Sequence, residues 1–568
     1  MRFRSVLLVT LLVSNNVVLA ASPAAQFSEH GMVASRSSWA SQVGADILAR
    51  GGNAVDAAVA VGFALAVTYP SAGNLGGGGF MVIRLADGTQ ITNDHREKAP
   101  LAATRDMYLD ADGEVIDGLS TRSHLAVGVP GSVAGLLDVL ERYGTMSRAQ
   151  VLDPAIRLAA RGIRLDRDLA RQFARRIKDF QPYPASMAVF SRNGEAWSEG
   201  DVFKQADLAA TLRRIKKSGK AGFYTGKTAD LLVAEMQQHD GLITHEDLLA
   251  YESKWREPVT GTYRGYDIVS MPPPSSGGVL LLQMLNMLES LDIGAMGYGS
   301  AAAIHSMIEA QRRAYADRAE YLGDPDYYPV PVARLISKAY AAERYADFNP
   351  ERAGVSADVL PGRIPLESVE TTHASVIDAA GNAVAYTTTL NLSYGAKIVA
   401  SGTGVLLNNE MDDFSSRENT PNFYGLLGRR ANAIEPGKRM LSSMTPTIVL
   451  KAGQPVLVTG SPGGSTIITT TLQVIMNVID HGMPLNDAVA SPRFHHQWQP
   501  DRVIHEQYAF SPDTRARLEQ MGHQQLTTIP GFLGRGIGDA NSVMRTAEGL
   551  VGMADPRNAG TAVGVSIK

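Results

Sequence analysis

The sequence predicts one layered α+β body whose sheets draw on both halves of the chain. Three observations lead there: strand-and-turn patterning around residues 80–94 and again after Pro361, a mostly helical stretch over 146–350 between them, and no internal repeat, low-complexity linker or long charge run to mark a boundary. The chain has 568 residues, 45% hydrophobic and 19% charged, which suits a soluble globular protein with a large core. Its formal charge of −4 supplies no basic field to gather nucleic acid or anionic lipid, so small molecules are the expected partners. It has no cysteine, which excludes disulfides, thiolate nucleophiles and cysteine metal sites. Any nucleophile must be an alcohol, an amine or a carboxylate.

Taken in order, the first residues read as an export signal: Arg2 and Arg4, an apolar run from Val6 to Val13, then Val17-Val18-Leu19-Ala20-Ala21 with small residues for cleavage. Residues 1–20 are therefore expected to be removed. A signal anchor is the alternative, but Asn15 and Asn16 break the run short of the ~20 residues a spanning helix needs. No later segment is continuous enough to span, because Ala54–Tyr69 carries Asp56 and ends at Pro70.

Helical spacing of small and apolar residues from Ser35 to Val67, interrupted by Gly51-Gly52-Asn53, predicts two helices, the second starting at Asn53 or Ala54. The glycine-rich run Gly73–Gly79 follows a helix and opens a strand, the reverse of the strand–loop–helix order of a dinucleotide site, so it reads as close-packed backbone. Phe80–Leu85 reads as a strand, followed by an Asp87-Gly88 turn and a partner strand toward Asp94. The helical region 146–350 is broken by Pro-Pro-Pro-Ser-Ser-Gly-Gly at 272–278. Thr371–Asp378, a turn at 379–382 and Ala383–Asn391 read as a hairpin. Its period of two puts Thr387, Thr389 and Asn391 on one face, opposite Tyr386 and Leu390. A solvated, threonine-rich sheet face would show the same pattern.

Longer motifs carry more. Thr371-Thr372-His373-x-Ser375, Leu407-Asn408-Asn409-Glu410-Met411-Asp412-Asp413-Phe414, Leu441-Ser442-Ser443-Met444-x-Pro446-Thr447 and Gly460-Ser461-Pro462-Gly463-Gly464 stand in this order, preceded by Asp94-His95-Arg96-Glu97-x-Ala99-Pro100 and followed by Pro492–Gln497. In order and spacing the set resembles the γ-glutamyltranspeptidase family, from about residue 27 to the end. The resemblance implies the four-layer αββα sandwich of the N-terminal-nucleophile hydrolases and a precursor that cuts itself between Glu370 and Thr371. The products would be a large subunit, 21–370, and a small catalytic subunit, 371–568. It implies no cofactor and no metal.

The chemistry suits a threonine at that cut. A threonine hydroxyl is a poor nucleophile and its own amide is no base, whereas a freed α-amine with a pKa of roughly 7.7–8 can act as one. The resemblance further implies that Thr389 hydrogen-bonds the nucleophile and that Gly463 and Gly464 offer backbone N–H groups to an oxyanion. It also implies that Arg96, Ser442 and Ser443 clamp a substrate carboxylate, that Asn391, Glu410 and Asp413 accept its ammonium, and that Tyr424 closes over the pocket from a lid loop between Phe414 and Leu441. Without it, Arg96 reads as a turn residue, Asp412-Asp413 as a solvated loop and the two glycines as a helix start. The expected reaction breaks γ-glutamyl amides, glutathione and its conjugates among them, and passes the acyl group to water, amino acids or dipeptides. The expected location is a bacterial periplasm.

Ala374 stands where relatives often carry an aromatic, and Tyr394 where phenylalanine is usual; neither change removes a catalytic group. His495-His496 reads as structural, since adjacent residues point to opposite faces of a strand. Two alternatives stay open: a β-lactam acylase of the same superfamily, for glutaryl or cephalosporin side chains, and a non-catalytic periplasmic amino-acid-binding protein.

Overall fold

A computed structural model describes residues 22–359, 371–418, 420–529 and 536–566. The expected signal segment and Glu370 lie outside the described residues. In chain order the two large sheets use β1 Gln26–Ser28, β2 Gly31–Ser35, β3 Gly78–Arg84, β4 Gln90–His95, β5 Lys254–Arg256, β6 Val259–Tyr263, β7 Tyr266–Ser270, β8 Thr372–Asp378, β9 Ala383–Thr389, β10 Thr447–Lys451, β11 Gln454–Thr459, β12 Ser542–Arg545, β13 Leu550–Met553 and β14 Thr561–Gly564. One seven-stranded sheet runs β14-β2-β8-β9-β3-β4-β5 and the other β1-β13-β12-β11-β10-β7-β6, antiparallel throughout. Both sheets contain strands from before and after residue 371, so the two halves share one body.

Side-chain alternation builds the layers. On β8 and β9, Ala374, Val376, Val384 and Tyr386 pack outward against helices α1 Ser38–Ala49 and α2 Ala54–Thr68. The other face, with Ile377, Ala383 and Ala385, meets Ile448, Val458 and Val543 of the second sheet. Helices α3 Gly277–Leu288, α4 Ala301–Tyr321 and α5 Thr466–Ile479 cover the far side of that sheet. The result is the expected αββα sandwich.

Helix α2 is buried all round, in keeping with a sequence that is apolar or small on every face after Asp56, and its start is fixed by a capping box between Asn53 and Asp56. The region 146–350 is less uniformly helical than its sequence suggests: β5, β6 and β7 lie within it. Arg264-Gly265 join β6 to β7 with φ of 47° and 79°, a two-residue turn in the left-handed region that the sequence hides because arginine is rare there. Among the described residues no helix is long and apolar enough to cross a membrane.

Candidate active site

Thr371 sits at the start of β8, beside the end of β9, where Thr372 pairs with Thr388. Its hydroxyl donates to Thr389 Oγ1 at 3.5 Å, and Thr389 Oγ1 also accepts the Asn391 N–H at 2.8 Å. The strand period turns Thr387 and Thr389 toward the inter-sheet side, and all of β8 and β9 is buried, so the polar row is an interior feature rather than a solvated face. The glycine run makes this approach possible. A Cβ on Gly77 would collide with the Thr389 carbonyl, and one on Gly76 with the Leu406 carbonyl.

His373, two residues from Thr371, is not the base. Its ring points between the sheets, with Nδ1 2.8 Å from Thr387 Oγ1 and Nε2 3.0 Å from Ser375 Oγ. Burial pulls its pKa down to about 3, so it stays neutral. Gly460 makes room for this ring, since a Cβ there would stand 2.5 Å from it.

A small pocket opens beside Thr371, lined by Arg96, Thr389, Asn391, Glu410, Asp413, Tyr424, Ser442, Ser443 and Gly464, with Leu426, Met444 and Ile467 as apolar wall. The structure thus gathers residues scattered over the sequence around one hydroxyl. Gly463 adjoins the pocket, one residue before Gly464, with φ of 150° against 48° for Gly464, and the two lead into α5. Among the described residues neither glycine N–H has a backbone acceptor. A Cβ on Gly464 would stand 2.5 Å from the Tyr424 ring, so glycine is needed there for space as well as for φ.

Arg96 is fully buried, not a surface turn residue. Its guanidinium donates to Glu410 and Asp413 and lies 3.5 Å from Glu97. The residues expected to hold the two ends of an amino-acid head therefore contact one another. Three carboxylates share this guanidinium. Burial pushes Glu97 up to about 7 against the pull of Arg96, and burial likewise raises Glu410 and Asp413 above the usual carboxylate range. Asn391 Oδ1 and Glu410 Oε2 are buried acceptors with no hydrogen-bond partner among the described residues. Unsatisfied buried acceptors among carboxylates that share one guanidinium suit an ammonium donor.

The loop carrying these acceptors is pinned from both sides. Asp412 is 5% exposed, not solvated; it accepts from Ser120 Oγ at 2.6 Å and from the Phe423 N–H at 2.9 Å. Next to Phe423, Tyr424 donates its hydroxyl to the Asn391 carbonyl at 2.7 Å. Burial first, then Asp413 and Glu410, hold this phenol well above its ordinary pKa, so it remains a donor. The 272–278 break packs behind Ser442: the Ser442 N–H donates to the Pro274 carbonyl at 2.8 Å and Ser276 Oγ to the Ser442 carbonyl at 2.7 Å.

Two charged groups near the pocket escaped the sequence reading. Glu97 stood inside the Arg96 motif and its charge alone could have flagged it. Arg318, on α4, donates to Ser443 Oγ at 3.2 Å and to Ser276 Oγ at 3.0 Å, and no sequence signal ties it to the site. His495 and His496 are occupied by hydrogen bonds: His495 with Thr469 and Gln497, His496 with Asp501 and the Trp498 N–H.

With this geometry in place, comparison with known proteins identifies relatives. The gamma-glutamyltranspeptidase family profile matches residues 40–565. The chain is 52% identical over 508 residues to the glutathione hydrolase proenzyme of Pseudomonas sp. (strain A14), covering 89% of this chain and 88% of that one. It is 50% identical to the glutathione hydrolase proenzyme of Escherichia coli (strain K12), covering 94% and 91%. Among solved structures, the cephalosporin acylase from Bacillus halodurans superposes with a TM-score of 0.84 at 27% identity, covering 98% of this chain and 100% of that one.

Proposed function

The chain belongs to the gamma-glutamyltranspeptidase family, and from that membership we propose that it is a self-cleaving γ-glutamyltransferase with Thr371 as nucleophile. In the first reaction the Thr371 hydroxyl attacks the Glu370 carbonyl carbon and the peptide C–N bond breaks. The freed nitrogen takes the proton, and water then hydrolyses the resulting ester to leave a carboxylate on residue 370. The cut creates the base it later needs, an α-amine on the carbon next to the hydroxyl. The products are a large subunit, 21–370, and a small one, 371–568.

In turnover the Thr371 hydroxyl gives its proton to that amine and attacks the side-chain carbonyl of a γ-glutamyl amide. Thr389 keeps the hydroxyl oriented, and the Gly463 and Gly464 N–H groups receive the oxyanion. The amine returns the proton to the leaving amino group as the C–N bond breaks, which leaves a γ-glutamyl ester on Thr371. Water or the amine of an amino acid or dipeptide then attacks the ester. Arg96, Ser442 and Ser443 take the α-carboxylate, and Asn391, Glu410 and Asp413 the α-ammonium. Glutathione and its conjugates are the proposed donors, and the export signal in the sequence points to a periplasmic site of action.

The observation that carries the donor assignment is the pair of unpartnered buried acceptors, Asn391 Oδ1 and Glu410 Oε2, beside the Glu97 and Asp413 carboxylates. A glutaryl side chain brings no ammonium to them, which separates this reading from the acylase one. The test compares kcat/KM for γ-glutamyl and glutaryl anilides on the processed protein. We expect the γ-glutamyl compound to be preferred about a hundredfold or more, as befits a site built to bond a group its analogue lacks. Equal or faster turnover of the glutaryl compound would make the protein an acylase.

A further inference from the structure

Arg318 lies behind the serine end of the pocket and does not line it. It is 5% exposed and comes from the last turn of α4, where Tyr315, one turn earlier, is itself anchored to the Ser465 carbonyl next to the Gly464 loop. An arginine carries donors only. Its Nη2–H and Nε–H therefore make Ser443 Oγ and Ser276 Oγ accept, at 3.2 and 3.0 Å. A hydroxyl whose lone pair is engaged from behind has its proton left to donate elsewhere, and Ser443 lines the pocket. Ser442 is arranged alike: its Oγ accepts the Met444 N–H at 3.1 Å, so its proton too is free to point into the pocket. Burial lowers the Arg318 pKa to about 10, which leaves it charged at neutral pH and adds positive potential where a carboxylate would sit.

We propose that Arg318 is a positioning residue for donor recognition: by donating to Ser443 Oγ it fixes the Ser443 hydroxyl as a donor toward the α-carboxylate of the γ-glutamyl group. The inference rests on the γ-glutamyl reading above. Arg318 touches no substrate atom, and it acts through Ser443. Its influence is confined to ligands that carry an α-carboxylate.

The experiment uses processed wild type, Arg318→Gln, Ser443→Ala and the double variant, with γ-glutamyl and 4-aminobutanoyl anilides; the second lacks only the α-carboxylate. Arg318→Gln should raise KM for the γ-glutamyl anilide about tenfold with kcat changed less than about threefold, the size of one charge-assisted hydrogen bond acting on binding. The loss should shrink to about twofold or less in the Ser443→Ala background, because the two residues act in series. The 4-aminobutanoyl anilide should show no Arg318 effect. If Arg318→Gln fails to fold or process, Arg318→Lys keeps the charge and one donor and should give an intermediate KM with the same dependence on Ser443. Additive losses in the double variant, or equal losses on both anilides, would overturn the proposal. A wild type that turns over both anilides equally well would instead overturn the γ-glutamyl reading on which it rests.

Discussion

The Tyr424 hydroxyl donates to the Asn391 carbonyl across the mouth of the pocket, joining the lid segment to the loop that follows β9. This bond fixes Tyr424, which lines the pocket, and on the proposed reading it shields the acyl-enzyme without touching the reacting atoms, so its loss should alter partitioning of the acyl-enzyme more than its formation. Tyr424→Phe keeps the ring against Gly464 and removes only the bond, which is worth about 1 kcal/mol. We expect the ratio of transfer to hydrolysis to fall about fivefold at fixed acceptor concentration, with little change in the rate of the first, acyl-forming burst. Product analysis with a dipeptide acceptor reads this ratio directly.

Gly464 has a φ of 48° and no room for a Cβ beside the Tyr424 ring. Gly464→Ala should push the ring outward and tilt the N–H proposed to receive the oxyanion. The expected result is a fall in kcat of about a hundredfold, the cost of one misplaced oxyanion donor, with the fold retained. Steady-state kinetics beside a circular dichroism spectrum tests both halves.

Thr389 Oγ1 connects the Thr371 hydroxyl to the Asn391 N–H. Thr389→Ala should lower kcat about tenfold or more with KM nearly unchanged, while Thr389→Ser, which keeps the oxygen, should retain most of the activity. A loss confined to KM would place Thr389 in substrate binding instead.

The chain before the proposed cut is anchored by residues after it. The Ser356 N–H donates to Asp501 at 2.7 Å, the Trp498 indole N–H donates to the Ser356 carbonyl at 3.0 Å, and Arg312 reaches both Ser356 and Asp501. Asp501→Asn should destabilise the processed protein by about 1–2 kcal/mol, less than a fully buried pair would cost because the Asp501 side chain is 37% exposed. Calorimetric unfolding should show the drop, with turnover at low temperature unchanged.

Neutral buried histidines set the acid limit of stability. Burial pulls His523 to about 3 and His496 to about 4, far below the ordinary value near 6.5. The folded-state values are depressed, so their contribution is intact above about pH 6.5. Below that the unfolded chain binds protons the fold refuses, and each histidine costs about 1.4 kcal/mol per pH unit until the pH reaches its folded value. The unfolding midpoint should fall steeply between pH 6.5 and 4.5, and His523→Gln should flatten that slope. A midpoint independent of pH in this window would contradict it.

The parts legible in sequence are those governed by local periodicity. The β8–β9 hairpin, the β3–β4 pair, the two N-terminal helices and the shared face of Thr387 and Thr389 follow from spacings of two and 3.6 residues, although the spacing does not say that this face is interior. Of the ten expected residues that gather at the pocket, seven stand in ordered motifs, and Thr389, Asn391 and Tyr424 are named from the family resemblance; both fix identity but carry no distances. What sequence hid is long-range. Strands β5 to β7 are short and half-exposed, and their turn uses Arg264 at a φ of 47°, so neither alternation nor turn chemistry announced them. Glu97 and Arg318 are charged side chains in the interior, where a sequence pattern by itself expects solvent; Glu97 lies against its neighbour Arg96, and Arg318 donates to serines brought by other elements. The close contact of Arg96 with Glu410 and Asp413 is of the same kind, since it spans more than three hundred residues.

The intact mass of the purified protein under denaturing conditions, wild type beside Thr371→Ala, tests the central claim most directly. The account predicts two fragments for the wild type, the smaller beginning at Thr371, and a single uncut chain for the variant. A wild type that stays one chain and leaves γ-glutamyl amides untouched would contradict it, and the protein would then be a binding protein built on an enzyme's fold.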